Sequence, residues 1–450
     1  MQYITLTDFL LFPLYLFFFY VIIKILAKKY NGTPLKKYFI LAFFLHMGGS
    51  FLYAMLIQFY YGYGDSFGFY MGSNFIRNFI SDGGNPLKII FLSSEELLKP
   101  QNLALFSVTD MPASIGSNAN FMIMKISALL SYFSFNSYLI ISLFFGLFSF
   151  AGLWKLFGTF NQILDKKAEK LLAFTILYTP SICFWGGGLI KDTICLGLVG
   201  FIIYFIYKIL ILKKIMIRDI ALLAIMFYLL YILKNYIASI LILSISLSYI
   251  IFILTKSRDN IIKLAVVIMI IIISSVVLFL NLASSIESLV EESKEQIVIF
   301  NDAYSFAETE DNTSLAGFKG ADYELSVSSF ILRSPIIMFS TLFRPYFWES
   351  QKLIMLFSAL ESFLMLIALM FVLYKCAVFR FFIILIADPY IFFAFIFTFF
   401  LAAVVGFTTF NFGTLVRYRL PILPFYFFML IAIYTKSKIN GLAELNLTEK

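Results

Sequence analysis

Apolar runs separated by short, mostly basic punctuation organise this chain. Runs near the length of about 20 residues needed to cross a hydrocarbon core as a helix lie at residues 9–26, 38–59, 137–157, 171–185, 193–210, 220–233, 237–254, 262–282, 353–374, 389–409 and 420–434. They predict an all-α, polytopic transmembrane helix bundle of about eleven spans. The runs at 171–185 and 220–233 are short. A further one at 121–133 is shorter still and contains Lys125, which places it along the membrane surface rather than across it.

With that placement, most of the 34 Lys and Arg collect on one side of the membrane: Lys24, Lys28, Lys29, Lys36 and Lys37, then Lys155, Lys166, Lys167 and Lys170, then Lys208, Lys213, Lys214 and Arg218, then Lys256, Arg258 and Lys263, and finally Lys375, Arg380, Lys436, Lys438 and Lys450. The positive-inside rule makes that side cytoplasmic, with the N-terminus outside and the C-terminus inside. Two larger segments, 60–136 and 281–352, then face outside as loops bearing short surface helices. The acidic run from Glu287 to Asp311 in the second reads as a solvated surface. No internal repeat or linker divides the chain, so residues 1–450 read as one membrane domain. The first apolar run has Asp8, not a basic stretch, before it, and reads as a retained span rather than a cleaved leader.

Composition agrees: 61% of residues are hydrophobic and 13% charged, against about 25% charged in soluble domains. The net charge of +8 is explained by the basic loop ends and does not imply nucleic acid. Three scattered cysteines, Cys183, Cys195 and Cys376, indicate neither disulfides nor a thiolate metal site. The single histidine, His46, lies mid-span beside Gly48 and Gly49 and reads as a packed helix contact. Without a glycine-rich phosphate loop, a nucleotide-sugar or ATP site is not expected. No cofactor is indicated; a divalent cation is compatible with the chemistry below.

Several polar groups stand out at the predicted outer surface. Asp65 follows the second span inside Gly64-Asp65-Ser66 with Tyr61, Tyr63 and Tyr70 around it. An Asx-turn accounts for it, as does an acid in an aromatic setting suited to a general base. In Pro180-Ser-Ile-Cys-Phe-Trp185-Gly-Gly-Gly188-Leu-Ile-Lys191-Asp192, proline and glycines break the helix just before an adjacent Lys and Asp. That pair suits a helix cap, or a cation presented to an anion with Asp192 orienting it. Lys234 lies on the next outer turn, where a snorkelling lysine is ordinary. Arg344-Pro345-Tyr346-Phe347-Trp348-Glu349 offers an interfacial belt, or an arginine held beside an aromatic platform for a sugar ring or isoprenoid. Arg417-Tyr418-Arg419-Leu420-Pro421 puts two guanidinium groups on the disfavoured side, a pairing suited to phosphate. Glu361 and Asp388, at or near span ends, are weaker suspects.

Gly64-Asp65-Ser66, the Pro180-to-Asp192 stretch, Arg344-to-Glu349 and Arg417-to-Pro421 together resemble the polyprenyl-phosphate-sugar-dependent membrane glycosyltransferases of the GT-C superfamily, which includes protein mannosyltransferase-like and aminoarabinose-transferase-like enzymes. The resemblance implies a GT-C-like fold and transfer of a sugar, with inversion, from a polyprenyl-phosphate lipid to a glycan, lipid or protein acceptor at the outer face of the cytoplasmic membrane. It implies Asp65 as the catalytic base and Lys191, Arg344, Arg417 and Arg419 as donor-phosphate ligands. Tyr70, Trp185, Asp192, Lys234, Trp348, Glu349 and Tyr418 would support them. Here the acidic loop follows the second span rather than the first, which implies one additional N-terminal helix. Two other functions fit the same pattern: a polysaccharide polymerase or O-antigen ligase, and a lipid or glycan flippase.

Overall fold

A computed structural model describes residues 3–103, 111–256, 265, 268, 269, 272, 276, 327–350, 353–409 and 412–448. The predicted span at 262–282, apart from a few isolated positions, and the acidic run from Glu287 to Asp311 lie outside the described residues. Among the described residues the regular structure is helical, without strands. Seven described helices are long and apolar enough to cross a membrane, and the bent pair Phe412–Tyr418 and Leu423–Lys438 makes an eighth if it is one span. The protein is therefore a multi-pass helical membrane protein. Its first helix, α1 (Leu6–Ala27), shows why: Leu10, Leu14, Phe17 and Phe18 are all exposed, a surface that only lipid or another apolar partner can cover.

The chain divides into two compact units, Met1–Thr159 with Ala173–Lys234, and Phe160–Leu172 with Asn235–Lys450. In the first, α2 (Leu35–Leu56) runs on through a wide π-type turn, Ile57–Tyr61, and is closed by Gly62 in the left-handed region at φ 71°. A three-residue linker leads into α3 (Asp65–Ser81). The short helices α4 (Pro86–Phe91), α5 (Ser94–Leu97) and α6 (Pro100–Leu103) follow. Next comes α7 (Asn118–Ser131), the run expected on the membrane surface, which packs tightly on α3. A Cβ on Gly72 would stand 2.3 Å from the Met124 sulfur, so the Met124 side chain lies directly over this glycine. Lys125 donates to the carbonyls of Ile90 (3.2 Å) and Leu92 (2.7 Å), ending α4 from the side. Burial pushes its ammonium down to about 8.

The remaining helices of this unit are α8 (Tyr138–Ile163), α10 (Pro180–Trp185), α11 (Lys191–Ile206) and α12 (Ile217–Leu233). The run expected to span at 171–185 is not one helix. It is split into the four-residue α9 (Glu169–Leu172), a π-type turn at Ala173–Leu177, and α10, because Pro180 has no amide to continue the ladder. α10 leans on α2 so closely that a Cβ on Gly49 would meet the Cys183 carbonyl at 2.0 Å. His46, one turn before Gly49, is fully buried with its ring 5.7 Å from that of Phe150, the packed contact expected of it. α8 and α11 cross through Gly152, Gly197 and Gly200, where an added Cβ would stand 2.2–2.7 Å from the facing helix.

In the second unit α17 (Pro389–Thr408) is central. Around it pack α13 (Asn235–Lys256), α14 (Val327–Phe343), α16 (Val378–Ala387) and α19 (Leu423–Thr448). α15 (Leu353–Cys376) flanks α14 and α19, and α18 (Phe412–Tyr418) meets α19 at a 61° bend. Asp388 is the N-cap of α17, accepting from the amides of Tyr390 (2.9 Å) and Ile391 (3.0 Å), and its carboxylate also pairs with Lys436. That structural work accounts for Asp388.

Candidate functional site

The candidate residues of the first unit gather at one end of it. α2 arrives there, and α1, α3, α8 and α11 begin there. The backbone amide of Tyr3 donates to Gln58 near the end of α2 (2.9 Å), and its ring lies 4.3 Å from Phe67 of α3. Ser66 and Tyr138 share a 2.7 Å hydrogen bond, Tyr70 donates to the Asn136 carbonyl (2.7 Å), and Ser137 donates to Asp8. Gly187 and Gly188, just before α11, fit against Ser50 and Tyr53 of α2, and the rings of Tyr53 and Trp185 lie 5.9 Å apart. Since α2 rises 1.5 Å per residue, Tyr53 sits about 12 Å below the turn that ends at Tyr61. The turn before Lys191 thus packs on α2 about 12 Å short of the end from which Asp65 begins α3.

Asp65 is the first residue of α3 and is exposed. It begins that helix rather than terminating α2, whose closure is made by Gly62. At a helix N-terminus a carboxylate complements the unsatisfied amides. Gly64, with φ at 145°, sets the approach of the chain to α3. Tyr63 is exposed, whereas Tyr70 is buried one helical turn and a half onward, and burial raises its hydroxyl from the ordinary value. Tyr70 therefore ties α3 to the start of α8.

Asp192 and Lys191, adjacent in sequence, have different roles. Lys191, partly exposed, opens α11, and the N-cap position is taken by Ile190 rather than Asp192. Asp192 is 2% exposed and forms an ion pair with Lys234, itself 7% exposed, at the end of α12. Lys234, expected to be an ordinary snorkelling residue or a supporting residue of the site, is thus half of a buried pair. Thr193 completes the turn, donating to the carbonyls of Gly188 (2.7 Å) and Trp185 (3.1 Å).

Basic groups collect at the opposite end. There Lys155 lies 4.5 Å from the Tyr204 ring, Lys208 pairs with buried Asp219 (2.6 Å), and Trp154 donates to Tyr30 (2.9 Å).

In the second unit Arg344 is engaged by Glu349: Nε donates to one carboxylate oxygen (3.1 Å) and a terminal nitrogen to the other. Glu349 also accepts from the Tyr346 amide (2.9 Å), so the loop folds on itself. Arg419 is fully buried. One terminal nitrogen donates to the carbonyls of Leu342 (3.2 Å) and Arg344 (2.9 Å) and to the Ser362 hydroxyl (2.9 Å), and the other lies 3.8 Å from Glu361. Arg419 thus caps the C-terminal end of α14 from the bend between α18 and α19, which is the structural reason for an arginine there. Its neighbour Arg417 is partly exposed, 5.2 Å from the Tyr418 ring.

Among the described residues no three His, Cys, Asp or Glu side chains gather as a metal site. No family model matches the sequence, and no curated protein or solved structure is significantly similar to it.

Proposed function

We propose that the protein is an integral membrane glycosyltransferase of the GT-C kind, moving a sugar from a polyprenyl-phosphate lipid to an acceptor hydroxyl at the outer face of the cytoplasmic membrane. The observation that carries the reading is Asp65: an exposed carboxylate opening a helix immediately where an apolar span ends. In this mechanism Asp65 takes the acceptor's proton as the hydroxyl oxygen attacks the anomeric carbon. The bond from that carbon to the lipid phosphate breaks, and the configuration inverts. Lys191 stabilises the charge growing on the departing phosphate.

The other nominated residues take supporting roles. Arg344 is neutralised by Glu349, and Asp192 and Lys234 satisfy one another, so these hold backbone in place. Arg419 is a positioning residue that fixes the end of α14.

The test is reconstitution of the purified chain in proteoliposomes with polyprenyl-phosphate sugars. Release of polyprenyl phosphate with stoichiometric sugar transfer supports the reading. Turnover of a diphosphate-linked oligosaccharide alone would make it a polymerase or ligase, and lipid movement without product a flippase.

A further inference from the structure

Between α15 and α17 the sequence predicts a short basic connection, and the structure has a helix there instead, α16 (Val378–Ala387). Ala377, with φ at 56°, breaks α15 from it, and Asp388 with Pro389 starts α17 directly after it. The last turns of α15 and the first of α17 lie at the same end of the unit. There the rings of Phe371 and Tyr434 stand 5.8 Å apart, and Lys436, two residues beyond Tyr434, pairs with Asp388. At 1.5 Å per residue α16 is about 15 Å long, half of a hydrocarbon core about 30 Å thick, so it cannot cross. It packs on α15, α17 and α19, with Phe381, Ile384 and Leu385 buried. Val378, Phe379, Phe382, Ile383 and Ile386 are each more than half exposed. At about 100° per residue these five fall within an arc of about 140°, facing away from the buried three, and Arg380 lies outside it.

Five large apolar side chains on one face, with no polar one among them, are not a surface for water. A protein partner would be met by about one hydrogen bond per 100–200 Å² and a polar rim, and this arc has no side-chain donor or acceptor to offer. Lipid asks for neither. The apolar face also runs on from a span: Ile367, Met370, Phe371 and Tyr374, toward the end of α15, are exposed as well. Tyr374 and Lys375, whose ammonium lies 5.6 Å from that ring, are the residue types that mark where a span meets the headgroups. α16 starts three residues after Lys375, at that level. We propose that α16 is an interfacial anchor, lying along the bilayer with its outward arc among the acyl chains of the leaflet in which α15 ends. Lys375 and Arg380 then stand at the headgroups, and the anchor fixes the depth of the Asp388–Lys436 pair. None of this depends on the transferase reading.

The experiment uses the full chain in lipid nanodiscs, with a bimane fluorophore attached in turn to Phe379→Cys, Phe382→Cys and Ile386→Cys. The native cysteines, Cys183, Cys195 and Cys376, are buried, and wild type carried through the labelling gives the blank. Leu364→Cys, exposed midway along α15, is the lipid control, and Lys214→Cys, in an exposed turn, is the water control. The quenchers are phosphatidylcholine brominated near the glycerol end or near the methyl end of its acyl chains, and aqueous iodide. All three α16 labels are expected to lose emission to brominated lipid, more to bromine near the glycerol end, and to keep it in iodide. Lys214→Cys should do the reverse. Gel filtration shows which variants are folded, and with three sites the loss of one to misfolding leaves two to read. Iodide quenching at these sites would put the face in water. Protection from both quenchers would put protein on it, a second copy of the chain included. Quenching mainly by bromine near the methyl end would sink α16 to the middle of the bilayer. Each of these three results would overturn the anchor.

Discussion

Replacing Lys234 with methionine strands a carboxylate. Asp192 is 2% exposed and Lys234 7%, so water cannot substitute for either partner. The helices add to the pair: Asp192 sits in the first turn of α11 and Lys234 follows the last turn of α12, where its amide donates to Leu230 (2.8 Å). Each dipole favours the charge it meets, by about 0.3–1 kcal/mol. Breaking a buried pair by removing one side costs about 3–5 kcal/mol, because the survivor stays charged and loses its counter-ion, whereas replacing both sides with apolar groups is often nearly neutral. Lys234→Met and Asp192→Leu should therefore each destabilise by ~3–5 kcal/mol, and the double variant by no more than ~2 kcal/mol, allowing for the lost dipole terms. The assay is a double-mutant cycle on equilibrium unfolding in mixed detergent micelles. Single costs below ~1 kcal/mol, or costs that add to within about 0.5 kcal/mol, would refute the buried pair.

Further outcomes follow from the packing. Gly200→Val should cost about 1–3 kcal/mol of unfolding free energy, because its Cβ would stand 2.2 Å from the Gly152 carbonyl; Gly32→Ala tests the contrast, since that site is strained at φ 77° but open. Arg419→Lys cannot reach Leu342, Arg344 and Ser362 together, and thermal unfolding should show a loss of ~2–4 kcal/mol, against about 1 kcal/mol for Ser362→Ala. Lys125 has its folded value lowered from 10.5 to about 8 by burial. The unfolded chain thus holds the extra proton between those values, and stability rises with pH across that window and is lost as pH falls through about 8. The stability of wild type relative to Lys125→Met should accordingly increase between pH 8 and 10.5, measured by unfolding midpoints at each pH.

Most of the helical scaffold is legible in the sequence because a bilayer demands long apolar runs. The runs at 9–26, 38–59, 137–157, 193–210, 237–254, 353–374 and 389–409 each coincide with a long apolar helix. The interrupted run at 171–185 was visible as Pro180 and three glycines, but not where the helix would stop, since hydropathy carries no information on the amide ladder. The wide turns closing α2 and α11 have no sequence signal of comparable strength.

Of the candidate site, Asp65 and Lys191 were legible as polar groups flanking spans. The partner of Asp192 was not: Lys234 is 42 positions away and meets it only because two helix ends converge. The two arginines at 417 and 419 read alike in the sequence, and only tertiary structure separates them, one buried against carbonyls and the other partly exposed. Arg344 and Glu349 lie five positions apart, close enough for their pairing to have been anticipated from the turn.

The central claim is that Asp65 takes the acceptor's proton, and the most direct measurement is single-turnover sugar transfer from a polyprenyl-phosphate donor by Asp65→Asn in proteoliposomes. The residue is exposed at the start of α3, so the substitution should alter stability by no more than about 1 kcal/mol and leave donor binding in place. Transfer is expected to fall by at least about a hundredfold, the lower range of general-base contributions. Transfer at the wild-type rate by a folded Asp65→Asn protein would contradict the account.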